Sequence, residues 1–247
     1  MSNRTDVLKL RQFRIIPFTA LISFVIEILS LTGCCNGTTR TYKGGGKELK
    51  ESNQQVWEQA GGTTYDKSEE DLTIIGPSYA KGSVVKGILS FTLNVPTDLQ
   101  NIGAALTASL VSVANFLSYS EDSPAYDITA GANGAVFERL YLPCEDEWGW
   151  YEIRKRRTGA VTGALMYVYV NKDVTVSGKG KSAPIIADGS KYKMTLNDFS
   201  LSLKAGWNAV KMIQTSVDIG GDFVSELVET VSIGDHPDFL WALWFEK

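Results

Sequence analysis

The chain of 247 residues holds one histidine, three cysteines and seven prolines. Each scarcity excludes some chemistry. A Ser-His-Asp triad would have to use His236, and no GxSxG elbow supplies its serine. No HExxH occurs, and one histidine with scattered cysteines (Cys34, Cys35, Cys144) does not make a zinc site of the usual kind. The Gly44-Gly45-Gly46 triplet before Lys47 lacks the GxxxxGK[ST] spacing of a phosphate loop. His236 lies in Gly234-Asp235-His236-Pro237-Asp238, residue types that suit a turn. The residues therefore point to no enzyme, no metal and no cofactor. Basic excess is missing too: 24 Lys and Arg stand against 28 Asp and Glu. The first 33 residues hold four basic and two acidic residues, which leaves 20 against 26 beyond them, a net charge of −6. A nucleic-acid binder needs a basic face for phosphates, so that class is disfavoured.

What is present starts at the amino terminus. Arg4, Lys9, Arg11 and Arg14 precede an uncharged run from Ile15 to Ile26, and small residues then lead to a cysteine. A charged start, an apolar core of about 7–15 residues and a small-residue cleavage site make an export signal. Leu31-Thr32-Gly33-Cys34 resembles the lipobox of bacterial lipoproteins. That resemblance implies cleavage before Cys34, acylation of its sulfur and a place in the cell envelope, at the outer membrane or cell surface. Glu27 departs from the pattern by interrupting the apolar stretch. Two alternatives stay open: an uncleaved membrane helix over Ile15–Leu31, which would carry Glu27 and Pro17, and a cytoplasmic protein. A span needs about 17–25 apolar residues, so that segment is at the short limit.

Removing 33 residues leaves 214, enough for one ordinary domain with its own core. Residues 34–71 read as a flexible tether rich in Gly, Lys, Glu, Gln, Ser and Thr, within which Lys47–Gln59 could form a short helix. About 35 such residues reach roughly 30–35 Å as a coil. A disulfide between Cys35 and Cys144 is permitted by export, but Cys144 reads first as a buried thiol.

From residue 72 to 247 the pattern is β. Strands are expected at Leu72–Ile75, Val84–Val95, Ala104–Leu117, Val136–Leu142, Trp148–Arg154, Val161–Val170, Val174–Ser177, Tyr192–Leu203, Ala209–Val217, Phe223–Ile233 and Phe239–Phe245. Ala104–Leu117 has helix as its alternative. Leu165–Val170 is apolar on both parities, which suits a central strand. Tyr192, Met194 and Leu196 share one parity, while Phe199, Leu201 and Leu203 share the other, so Asn197–Asp198 must hold a turn or bulge. Many short strands without alternating helices predict an all-β antiparallel sandwich, Ig-like or jelly-roll-like, with a β-barrel as the alternative. The phrase Leu201-Ser202-Leu203-Lys204-Ala205-Gly206-Trp207-Asn208 is similar to a strand–turn–strand of small envelope lipoproteins of unknown function.

Glu145, Asp146 and Glu147 run into Trp148, Trp150 and Tyr151. Aromatic surfaces beside carboxylates suit glycan recognition or glycoside hydrolysis, so Trp148, Trp150, Glu145 and Glu147 are candidate ligand contacts. The bland alternative is an acidic turn leading into a core strand. Arg154, Lys155, Arg156 and Arg157 read as a solvated hairpin loop. The expected role is a membrane-anchored, non-catalytic module that binds an envelope protein or glycan. The alternatives are an assembly subunit pairing through sheet edges and, behind both, a carboxylate hydrolase.

Overall fold

The computed structural model describes residues 45–58, 71–73, 77–85, 88–118, 124–138, 140–143, 150–157, 161–187, 189–234 and 239–245. Strands β1–β4 are Leu49–Glu58, Asp71–Thr73, Ala80–Val85 and Ile88–Leu93. Strand β5 (Gln100–Asn101) leads into the helix α1 (Ile102–Ser118). Strands β6–β9 are Asp127–Thr129, Asn133–Phe137, Leu140–Pro143 and Trp150–Arg157. Strands β10–β13 are Val161–Val170, Val174–Lys179, Ser182–Ala187 and Ser190–Leu196. Strands β14–β17 are Phe199–Leu203, Gly206–Val217, Glu226–Ile233 and Phe239–Phe245.

The fold is the expected all-β, sandwich-like one. A large sheet runs in the order β12-β13-β16-β15-β10-β9-β17-β1-β4-β3-β2, and a small sheet runs β14-β11-β6. The large sheet's path does not close on itself, so the fold is not a barrel. Pairing is mostly antiparallel; β1 with β17 and β13 with β16 are parallel.

Strands β10 and β15 are buried on both faces, which is why Leu165–Val170 is apolar at every position. Ala164, Met166, Val168, Val170, Val210 and Met212 face one core, shared with α1 and the small sheet. Leu165, Tyr167, Tyr169, Trp207 and Ala209 face a second core with Leu49, Leu89, Phe91, Leu93, Phe137 and Phe239. Burying one such aliphatic side chain contributes roughly 1.5–3 kcal/mol.

The parity reversal between Tyr192 and Leu203 marks a change of sheet. Strands β11 and β14 pair from Val174↔Leu203 to Gly178↔Phe199, and β12 and β13 continue the same register from Ser182↔Thr195 to Ala187↔Ser190. Residues 174–203 are thus one long hairpin, its base in the small sheet and its tip in the large one. Asp198 pins the bend: its carboxylate takes hydrogen bonds from Lys179 Nζ and from the Gly180 N–H at 2.9 Å. A β-carbon at Gly180 would overlap the Leu196 carbonyl oxygen, so glycine is required there.

Four expectations need correction. Ala104–Leu117 is helical, not a strand. Ile102, Ala105, Leu106 and Leu110 bury one face at helical spacing, and Asn101 Oδ1 caps the Ala104 N–H at 3.2 Å. The short helix expected over Lys47–Gln59 does not form at residues 47–58, because Leu49–Glu58 pairs with β4 and β17. The tether expected over 34–71 does not hold for residues 45–58, where Leu49 and Glu51 are buried. Arg154–Arg157 is not a loop, because β9 continues through Arg157, which stands opposite Phe239.

Candidate functional site

The second core is covered by β1, β3 and β4, which lie over β10 and β15. The same face of the large sheet is open farther out, over β16, β13 and β12. Alternation sets what it shows. Ile185, Met194, Leu196, Met212 and Val231 point into the first core. Their neighbours Ser182, Pro184, Ile186, Lys191, Lys193, Thr195, Glu226 and Val217 point the other way.

This open face has a polar ladder and an apolar end. Lys193 Nζ lies 2.8 Å from Glu226 Oε1, which also accepts a hydrogen bond from Thr195 Oγ1 at 2.7 Å. Thr195 Oγ1 is 2.9 Å from Ser182 Oγ. Lys193 first, then Thr195, holds the Glu226 carboxyl below its usual range. At the apolar end, Ile186 is opposite Lys191, whose carbonyl accepts the Val224 N–H at 2.8 Å. Val217 is opposite Glu226. Ile186 is 70% exposed, Val224 51% and Val217 47%. Scattered exposed apolar residues are ordinary, but these three share one face of the sheet, with Ile186 and Val224 on either side of Lys191 and Val217 opposite Glu226.

Strand β12 ends the sheet. Lys181 O accepts the Leu196 N–H at 2.8 Å, so the odd residues of β12 bond inward to β13. The even residues Ser182, Pro184 and Ile186 turn their backbone outward, and Pro184 has no N–H to offer. Edge strands are natural templates for another chain, and proline blunts them. Pro184→Val is expected to raise self-association several-fold, read as a concentration-dependent dimer by sedimentation velocity. An unchanged sedimentation coefficient would show that something other than Pro184 protects this edge.

A second polar feature lies inside. Glu229 on β16 is fully buried between Leu196 of β13 and Gln214 of β15, its register neighbours. The Tyr126 hydroxyl is close enough for each group to shift the other's titration. Yet the Tyr126 hydroxyl, Gln214 Nε2 and both Glu229 oxygens make no hydrogen bond of good geometry. Burial pushes the Glu229 carboxyl up to about 8, against a smaller downward pull from Tyr126. Burial, and then Glu229, raises the Tyr126 hydroxyl. With no exposed surface, Glu229 is sealed inside the fold, where its ionisation bears on stability.

Cys34, Glu145, Glu147 and Trp148 lie outside the described residues, as do Cys35, Cys144 and His236. Trp150 opens β9 opposite Pro143, with its side chain outside the description. The open-face patch went unpredicted because β12 was not expected. Its signal was present: Asp188-Gly189 is a dipeptide that favours a two-residue hairpin turn, and Gly189 has a φ of 73° between the paired Ala187 and Ser190.

Among the described residues no helix is long and apolar enough to cross a membrane. No family model, curated protein or solved structure matches the chain.

Proposed function

We propose that the chain is a lipid-anchored bacterial cell-envelope protein with a non-catalytic binding role, and that the open face beside β12 docks a partner protein. The lipobox at Leu31–Cys34 supports the anchor. Each buried methylene of an acyl chain contributes about 0.8 kcal/mol, so two or three chains hold a domain firmly. The observation that carries the docking role is the patch of Ile186, Val224 and Val217. A protein partner fits it better than a glycan, because branched aliphatic side chains offer no stacking surface or hydrogen bonds to a sugar. Assembly by edge pairing is the second reading, and Pro184 weighs against it at β12.

The test is photo-cross-linking in cells of the source bacterium. A photoreactive residue at Val224 is expected to give an adduct of one defined mass. The same residue at Ser202, exposed on the small sheet, should give none. Adding Ile186→Lys and Val217→Lys should abolish the Val224 adduct. Equal adducts at both positions, or none, would overturn the docking surface. Cys34→Ser should move the protein wholly into the soluble fraction with loss of acyl mass. Retention in the membrane fraction would refute the anchor.

A further inference from the structure

The small sheet and the large sheet meet over one polar contact. Glu229 of β16 points inward with Leu227 and Val231, and its register neighbours are Leu196 of β13 and Gln214 of β15. Tyr126, the residue before β6, reaches the same place from the small sheet. Its ring stands edge-on to Phe199 of β14, with centroids 5.1 Å apart. The Tyr126 hydroxyl, Gln214 Nε2 and both Glu229 oxygens are buried there without a hydrogen bond of good geometry.

A buried carboxyl without a good partner is stable only as the neutral acid. Once ionised it must meet water, and the covering element that moves most easily decides how. The covers are unequal. Strand β13 is paired on both sides, with β12 and β16, and so is β15, with β10 and β16. Strand β14 is tied along its whole length into the hairpin 174–203. Strand β6 has three residues, and its ladder runs only to Ser177, Gly178 and Lys179 of β11. It also rests on the start of α1, where a β-carbon at Gly103 would stand 3.3 Å from Ile128 O. The Lys181–Asp127 ion pair at 3.3 Å is exposed and holds it only weakly. An element with so few bonds is the one that opens locally.

We propose that Glu229 and Tyr126 form a proton-dependent latch between the two layers. With its proton in place, Glu229 lets Tyr126 and β6 close over it. Loss of that proton favours an opened form, in which Tyr126–Thr129 lifts from β16 and water reaches the carboxylate while β10, β13, β15 and β16 stay paired. The closed form remains the majority, and pH sets how often it opens. No other charge takes part among the described residues. The inward side chains that β13, β15 and β14 bring to this place are Leu196, Gln214 and Phe199, which do not titrate. Burial, and then Glu229, keeps the Tyr126 hydroxyl protonated. Opening releases a proton that the closed form holds. It therefore grows as pH rises from the ordinary carboxyl range to about 8, where the closed form itself ionises.

The test is amide hydrogen exchange on the full chain, read by mass spectrometry at about pH 5.5, 6.5 and 7.5 and corrected for the intrinsic rate at each pH. Protection of the peptide spanning Tyr126–Thr129 is expected to fall about tenfold per pH unit. Protection of Leu165–Val170 in β10 should stay at least about tenfold higher at every pH. Glu229→Gln should make the Tyr126–Thr129 protection flat with pH. Equal protection of the two segments would mean that only global unfolding exposes Glu229, and would overturn the latch. A slope that survives Glu229→Gln, or a parent without a slope, would overturn it as well.

Discussion

Trp207→Ala is expected to destabilise the domain by about 3–5 kcal/mol, the range for emptying a buried aromatic site. Folded domains hold only about 5–15 kcal/mol in total, so this is a large share. The reason is the number of segments that meet at one ring. The Tyr79 ring centroid is 5.7 Å away and that of Tyr169 is 5.4 Å away in an edge-to-face contact. Leu49 and Leu93 line the same core. The backbone of Trp207 also holds Gly45 and Gly46. Trp207→Phe keeps a ring in the site and should cost about half as much. Urea unfolding followed by circular dichroism gives the comparison. A loss below about 1 kcal/mol for the alanine variant would mean that the second core closes around the gap. The same variant should expose Lys47 to trypsin at concentrations that leave the parent intact.

Glu229→Gln is expected to stabilise the domain in a pH-dependent way. The carboxyl titrates at about 8 when folded and near 4.5 when unfolded. Between those values the folded state holds a proton that the unfolded state has released. Stability therefore falls as pH rises, by about 1.4 kcal/mol per unit, and the total is on the order of 4–5 kcal/mol. Below pH 4.5 both states are protonated and the term vanishes; above 8 the loss is complete. Glutamine keeps the shape and cannot ionise. The variant should match the parent at pH 4.5 and exceed it by several kcal/mol at pH 8.5. Leu196 and Gln214 flank the group and do not titrate, and Tyr126 stays protonated throughout this window. A parent whose midpoint in urea is flat from pH 5 to 8.5 would refute a buried, neutral Glu229.

The acid side behaves oppositely. Asp173, held down by the Ala205 N–H and then Lys204, and Asp198, held down by Lys179 and then the Gly180 N–H, both have lowered carboxyl titrations. Glu226 joins them. What they contribute is present above the ordinary carboxylate range and is lost as pH falls through their lowered values. These groups lie at the surface, so salt screens them and their effect is small beside that of Glu229.

The sequence by itself determined the features that are local. A period-two pattern needs only a few neighbours, so the β class, the central strand at Leu165–Val170 and the reversal at Asn197–Asp198 were legible. Glu229 also shares its parity with the inward Leu227 and Val231, so its burial could have been read from the sequence. Tertiary structure decided the features that depend on distant partners. Leu49–Glu58 is polar and becomes a strand only because β17, far away in the chain, pairs with one part of it and β4 with another. Arg154–Arg157 stays extended because β17 runs alongside. Ile102–Ser118 has a composition compatible with strand or helix, and packing of one helical face against β7, β10 and β6 settles it. Ile186 looks like a core residue in any window. It is exposed because β1, β3 and β4 cover β10 and β15 and stop short of β12, and the extent of a covering layer is a property of the whole fold.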